Sequence, residues 1–166
     1  MELIDIYNEK REKTSKVVDR HSYKKLDNEY DLSVQIWIMN DNGEIILTKR
    51  AANKSYPNLW ECTEGIVDWN ETSEEAAIRE VSEELGIDIF INEIVKMKID
   101  REQECPKYTD VYFCRKNISL DEINLQKQEC VDVKIVNEDE YNLMYKNGEL
   151  ISYLNYFYEA YRKNFI

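Results

Sequence analysis

The sequence predicts an α/β fold built on a mixed β-sheet. Three observations carry the prediction. Several runs alternate apolar and polar residues, one well-capped helical stretch lies near the middle, and aromatic residues recur at helical spacing toward the end.

In chain order, residues 2–20 alternate through LIDIY, break at NEKREKTS and resume with KVV, which predicts a β-hairpin. That hairpin is expected to cover a sheet edge or to supply a dimer contact. Residues 32–40, LSVQIWIMN, place Val34, Ile36 and Ile38 on one face and Gln35, Trp37 and Met39 on the other. The turn Asn40-Asp41-Asn42-Gly43 and the returning run 44–50 make 32–50 a second hairpin. Trp37 is read either as sheet packing or as a platform for a substrate base. Residues 51–60 form a loop into the strand that carries Trp60 and Cys62. Arg50 and Lys54 are cations beside this loop on an acidic chain, so they are candidates to grip diphosphate oxygens, against a reading as plain surface charge.

A helix is expected from about 73 to 85. Thr72 is its N-cap, Glu75 completes a capping box, and Gly86 sits where a left-handed residue ends a helix. Ala77, Ile78, Val81 and Leu85 make its core stripe. Glu80, Glu83 and Glu84 fall on the neighbouring stripe, with Ala76 leaving room among them. Residues 87–99 read as a strand, 100–107 as a polar loop, and 108–116 and 130–136 as strands. A helix follows from Asn137 as N-cap to Gly148 as stop. Leu150, Tyr153, Leu154, Phe157, Tyr158 and Tyr161 then extend a helical pattern to 163.

A chain of 166 residues suits one domain, here expected to be residues 1–166. Its net charge of −12 argues against nucleic acid or an anionic membrane as partner. No run has the length of a membrane span and the N-terminus lacks a signal peptide's apolar stretch, so the expected location is cytoplasmic. Cys62, Cys105, Cys114 and Cys130 lack CxxC spacing and read as reduced thiols; Cys62 has no nearby histidine to activate it as a nucleophile. His21 is the single histidine, which excludes a histidine metal cluster.

Three carboxylates on one helical stripe repel one another, and the arrangement makes chemical sense around a hard divalent cation such as Mg²⁺. Residues 65–87 also hold a longer pattern: Gly65, Glu71 after five residues, then after seven more Arg79-Glu80-Val81-Ser82-Glu83-Glu84-Leu85-Gly86-Ile87. This matches the Nudix box at every specified position, and the chain is similar to the Nudix hydrolase superfamily over roughly residues 30–163. The resemblance implies a Nudix-type α/β/α sandwich, with the box forming a loop-helix-loop against the sheet. It implies Mg²⁺, or alternatively Mn²⁺, held by Glu80, Glu83 and Glu84 with the Gly65 carbonyl. By the same resemblance, Glu71 braces the loop or reaches an outer metal, and Arg79 orients the glutamates. A small diphosphate, such as a nucleoside diphosphate derivative, would be hydrolysed by water. The base would be Glu80, Glu83, or Glu129 in a region where relatives often place an extra acid. Asp110 is a weaker candidate for substrate contact. The protein would be a monomer or a homodimer.

Within the superfamily, KRAANKSYPNLW resembles the isopentenyl diphosphate isomerases. Those enzymes have cysteine before the first box glycine and histidine after it, where this chain has Glu64 and Ile66. Hydrolysis therefore fits better than isomerisation. A third reading, a nucleotide-binding regulator without turnover, predicts lost box glutamates, and all are present here. Many relatives also have glycine at the positions of Glu64 and Asn70; Asn tolerates the positive φ a turn there requires.

Overall fold

The computed structural model describes residues 1–99 and 106–166. Cys105 and most of the expected polar loop 100–107 lie outside the described residues. Leu3–Tyr7 (β1) and Lys13–Asp19 (β2) pair antiparallel as the first hairpin. The main sheet has seven strands: Asp31–Met39 (β3), Ile45–Arg50 (β4), Trp60–Glu61 (β5), Thr63–Ile66 (β6), Ile94–Met97 (β7), Lys107–Arg115 (β8) and Cys130–Val136 (β9). Its path runs β5-β4-β3-β8-β7, with β6 on β3 and β9 on β4. The β3–β8 pairing is parallel and the others are antiparallel, so the sheet is mixed.

The helices Ser73–Leu85 (α1), Glu138–Lys146 (α2) and Phe157–Phe165 (α3) cover its two faces. Val34, Ile36 and Ile38 join α1's Ala77, Val81 and Leu85 in one buried cluster. Trp37 and Met39 point the other way, into a cluster with Tyr141 of α2 and Phe157 of α3. The strict alternation of β3 thus serves two cores at once, which is why both of its faces are apolar.

The structure corrects four local expectations. The 32–50 hairpin closes through one residue pair, Met39 with Ile45; beyond it the two strands splay, and 60–66 fills the wedge, pairing with β4 through Trp60 and Glu61 and with β3 through Thr63 to Ile66. Residues 87–93 are not strand. Ile87 and Ile89 bury against α1, and a 3₁₀ turn at Ile91–Glu93 follows, its Glu93 N–H donating to Phe90 O at 2.8 Å. Pairing with β8 starts only at Ile94. The final helical stripe is also interrupted. Trp60 N–H donates to Glu149 O at 2.8 Å and Ile151 N–H to Trp60 O at 3.0 Å, so this backbone joins the sheet edge and α3 begins at Phe157. Ala76, expected among the acids, is fully buried in the α1 cluster.

The N-terminal hairpin is fastened beside the box. Tyr7 and Tyr30 exchange backbone hydrogen bonds of 2.7 and 3.0 Å, Trp69 N–H donates to Leu3 O at 2.7 Å, and Arg11 pairs with the buried Asp110. Asp110 also pairs with Lys96 at 2.7 Å. The weaker expectation of a substrate contact there gives way to an anchor between hairpin and sheet.

Candidate active site

The loop before α1 is built by local rules. Asn70 adopts φ 65°, the left-handed conformation that Asn accepts more readily than most residues. Thr72 and Glu75 form the capping box, and Gly86 ends the helix at φ 65°. Gly86 is also required by space, because a Cβ there would lie 2.9 Å from Asn124 Cβ.

Arg79 organises what this frame presents. Its Nε and NH2 donate to the two oxygens of Glu71 at 2.9 Å each, its NH1 donates to Glu80 at 2.7 Å, and its NH2 reaches Ile66 O at 2.9 Å. Glu71 also accepts from Asp68 N–H at 3.0 Å. Both Glu71 carboxylate oxygens are thereby engaged in the loop brace. Of its two expected roles, bracing is the one these contacts express. Hydrogen bonds to Glu71, its largest influence, hold the Arg79 guanidinium above its ordinary pKa.

A cavity of about 490 Å³ opens over the box and contains Gly65, Arg79, Glu80, Glu83 and Glu84. The rest of its lining comes from elsewhere in the chain: Arg50, Lys54 and Ser55, then Glu61 and Glu64, then Gln126 and Glu129. Sequence reasoning missed Glu61 and the contributions of Glu2, Arg20 and Lys107 to this cavity. None carries a local signal, because each arrives from a different element.

The carboxylates differ in setting. Glu84 is 5% exposed, and burial drives its pKa well above the usual range, with Glu61 and Glu80 adding repulsion. Glu61 is pushed up to about 8, mainly by burial and against the pull of Arg50. Glu80 is raised to about 7, again by burial first, with Arg79 opposing. Glu83 is half-exposed.

Glu84 Oε2 is buried without a hydrogen-bond partner, a costly state for a carboxylate. A Cβ on residue 65 would fall 1.8 Å from Glu80 Oε1, so the backbone of Gly65 and the Glu80 carboxylate are closely apposed. Oxygen donors of this kind suit a hard divalent cation. Among the described residues the side chains are not gathered into a ready-made metal cluster of three or more His, Cys, Asp or Glu. Mutual repulsion, and the hold of Arg79 on Glu80, keep them spread.

Trp37 lies outside the cavity. It is fully buried, its ring stacks on Phe157 at 4.5 Å, and its indole N–H donates to Tyr156 OH at 3.0 Å. The base-stacking expectation for Trp37 is therefore replaced by core packing. Arg50 reaches the cavity but is committed: it donates to Glu61 at 2.5 Å and to Ser55 O and Oγ at 2.5 and 3.0 Å. Lys54 pairs with Glu129. Glu64 accepts from Gln35 and Lys107 at 3.0 Å each. Cys62, Cys114 and Cys130 are buried and outside any disulfide, the last two with raised pKa values of about 11 and about 12 caused mainly by burial.

Comparison with known proteins bears on this cavity. The NUDIX domain family model matches residues 29–156. A Listeria monocytogenes protein named as an uncharacterized Nudix hydrolase is 35% identical over 155 residues, covering 92% of this chain and 90% of that protein. An isopentenyl-diphosphate Delta-isomerase of Salmonella paratyphi B is 29% identical over 83 residues, covering 49% of this chain and 46% of that enzyme. The crystal structure of DR0079 from Deinococcus radiodurans superposes with a TM-score of 0.77 at 20% identity, covering 99% of this chain and all of that one. The NUDIX domain of Shewanella oneidensis NrtR, solved with ADP ribose, gives a TM-score of 0.65 at 18% identity, covering 88% of this chain and 92% of that one. At these identities the two structures speak to the fold.

Proposed function

The chain belongs to the Nudix hydrolase family, and on that premise we propose that it cleaves a diphosphate linkage in a small nucleoside diphosphate derivative by water attack, with Mg²⁺ or Mn²⁺. The observation that carries this reading is the buried, unpartnered Glu84 oxygen beside Glu80 and Gly65. Glu80, Glu83 and Glu84, with the Gly65 carbonyl, would hold the cation. Bound there, it would supply Lewis acidity toward a phosphoryl oxygen and a lowered pKa for bound water.

The protein's own groups do the rest. Arg79 keeps Glu80, Glu83 and the loop in position through its five acceptors. Glu71 holds Arg79 in turn. Lys54 meets the substrate diphosphate from outside the box, while Arg50 fixes the Ser55 loop and Glu61. Glu129, 35% exposed, accepts the proton of the attacking water.

Isomerase chemistry is disfavoured at Glu64, where the isomerases it resembles have cysteine; a carboxylate held by Gln35 and Lys107 offers no thiol proton. The retained box glutamates favour turnover over regulation by binding alone. The test is Mg²⁺-dependent hydrolysis across ADP-ribose, nucleotide sugars, dinucleoside polyphosphates, nucleoside triphosphates, CoA and isopentenyl diphosphate. One or more should be cleaved, and Glu84→Gln should lower turnover by about a hundredfold or more, the scale of a lost electrostatic catalytic group. Wild-type rates in Glu84→Gln would overturn the assignment.

A further inference from the structure

Among the described residues, the cations lining the cavity are all answered by carboxylates, but the pairs are not equivalent. Arg50–Glu61 is nearly buried, with side-chain exposures of 11% and 3%. Arg79 is bound by five acceptors, two on Glu71 and one each on Glu80, Glu83 and Ile66. Lys54–Glu129 joins two loops beside the box and is reached by solvent, at 28% and 35% exposure; Arg20–Glu2, from the N-terminal hairpin, is also solvent-reached, at 31% and 49%. Glu129 also sits within electrostatic reach of the box, since its charge acts on Glu84.

The backbones beneath these two side chains are pinned independently of the ion pair. Ala51 N–H donates to Glu129 O at 2.9 Å, and Lys54 N–H to Ala51 O at 3.2 Å. Glu129 N–H donates to Gln126 O at 2.9 Å, and Gln126 N–H to Glu84 O at 3.1 Å, which ties the loop to the end of α1. The side chains are therefore free to change partners while both loops stay in place. A solvent-reached lysine–carboxylate pair is weak, and a doubly charged phosphate group competes well for the ammonium.

We propose that Lys54 is a positioning residue that latches Glu129 until a diphosphate takes the lysine, whereupon the Glu129 carboxylate turns to the box. This rests on the hydrolase reading above and adds an order to it. The anionic substrate releases the carboxylate that the cation side lacks, so a diphosphate favours assembly of the full set of charges. By reciprocity, occupation of the box by a cation draws Glu129 away and leaves Lys54 open to phosphate.

The test reads metal affinity without substrate or turnover. Mn²⁺ binding is measured by electron paramagnetic resonance on the wild type, Lys54→Met, Glu129→Gln and the double variant, with Glu84→Gln as the control for the box. Lys54→Met should bind Mn²⁺ about fivefold tighter, the effect of one further carboxylate at a solvent-reached cation. Lys54→Arg, which keeps the pair, should match the wild type. In the Glu129→Gln background, Lys54→Met should bring no gain. Unchanged affinity in Lys54→Met overturns the latch. So does a gain that persists with Glu129→Gln, because it would report only the removal of a positive charge. Loss of Mn²⁺ binding in Glu84→Gln with no effect of Lys54→Met would leave the metal reading standing and sink the latch alone. Equal Mn²⁺ binding in Glu84→Gln and wild type would sink the metal reading, whatever Lys54→Met does.

Discussion

The two walls of the cavity are built on opposite plans. The box wall is a continuous stretch, 65–87, held by a capping box, two left-handed turns and one arginine with five acceptors. Its innermost carboxylate is buried and carries an unpartnered oxygen. The rest of the lining is assembled from residues 50–55, 61–64 and 126–129, and its Lys54–Glu129 pair is 28% and 35% exposed to solvent. One wall stores electrostatic cost in a rigid frame, ready for a cation to relieve it. The other holds one nearly buried pair, Arg50–Glu61, and one solvent-reached pair, Lys54–Glu129, that is cheaper to exchange. A site that must hold one ligand and release another benefits from that division.

The sharpest way to break this contrast is Gly65→Ala. The added methyl would collide with Glu80 and force that side chain away from the box. We expect turnover to fall more than about tenfold, with a stability loss of about 1–2 kcal/mol, because the displaced atoms belong to a flexible side chain. Assays of kcat/KM together with thermal melts check this; an active Gly65→Ala would mean that the close approach of Gly65 and Glu80 is incidental.

A second prediction concerns pH. Glu61 and Glu80 have pKa values raised from 4.5 to about 8 and about 7. Between the unfolded and folded values the native state binds more protons than the unfolded chain, so stability declines as pH rises. The Tm of metal-free protein should fall from pH 5 to pH 8, and Glu61→Gln should flatten the decline. Saturating Mg²⁺ should oppose it, because the cation selects the ionised carboxylates. A metal-free Tm that climbs over this range would contradict the picture of buried, strained carboxylates lining the cavity.

The smallest expected effect is that of Cys62→Ser. The thiol is fully buried in the aromatic cluster behind the sheet, away from the cavity. Turnover should stay within about twofold while stability falls by about 1–2 kcal/mol for burying a hydroxyl. A folded but inactive Cys62→Ser would show that chemistry extends behind the sheet.

The same division explains what was legible. Local signals located the helix, both of its caps, the turn at Asn70, the acidic stripe and the alternation of β3, β8 and β9, because each depends on residues within a turn or two of one another. The splayed hairpin was not legible, since the segment that enters the wedge lies ten residues further along. Nor was the fate of Trp37: alternation placed it on a face, but α3, more than a hundred residues away, decided that the face is covered. Residues 87–93 and 149–156 had the right periodicity for strand and helix, yet available backbone partners overruled it.

The sequence by itself determined the box wall, its family and the chemistry of its oxygen donors, because these are properties of spacing along one short stretch. Only the tertiary structure decided which charges face that wall, which of them are already paired, and which carboxylates are buried. Pairing and burial depend on what the rest of the chain brings near, and Coulomb and desolvation energies follow distance in space rather than separation in sequence.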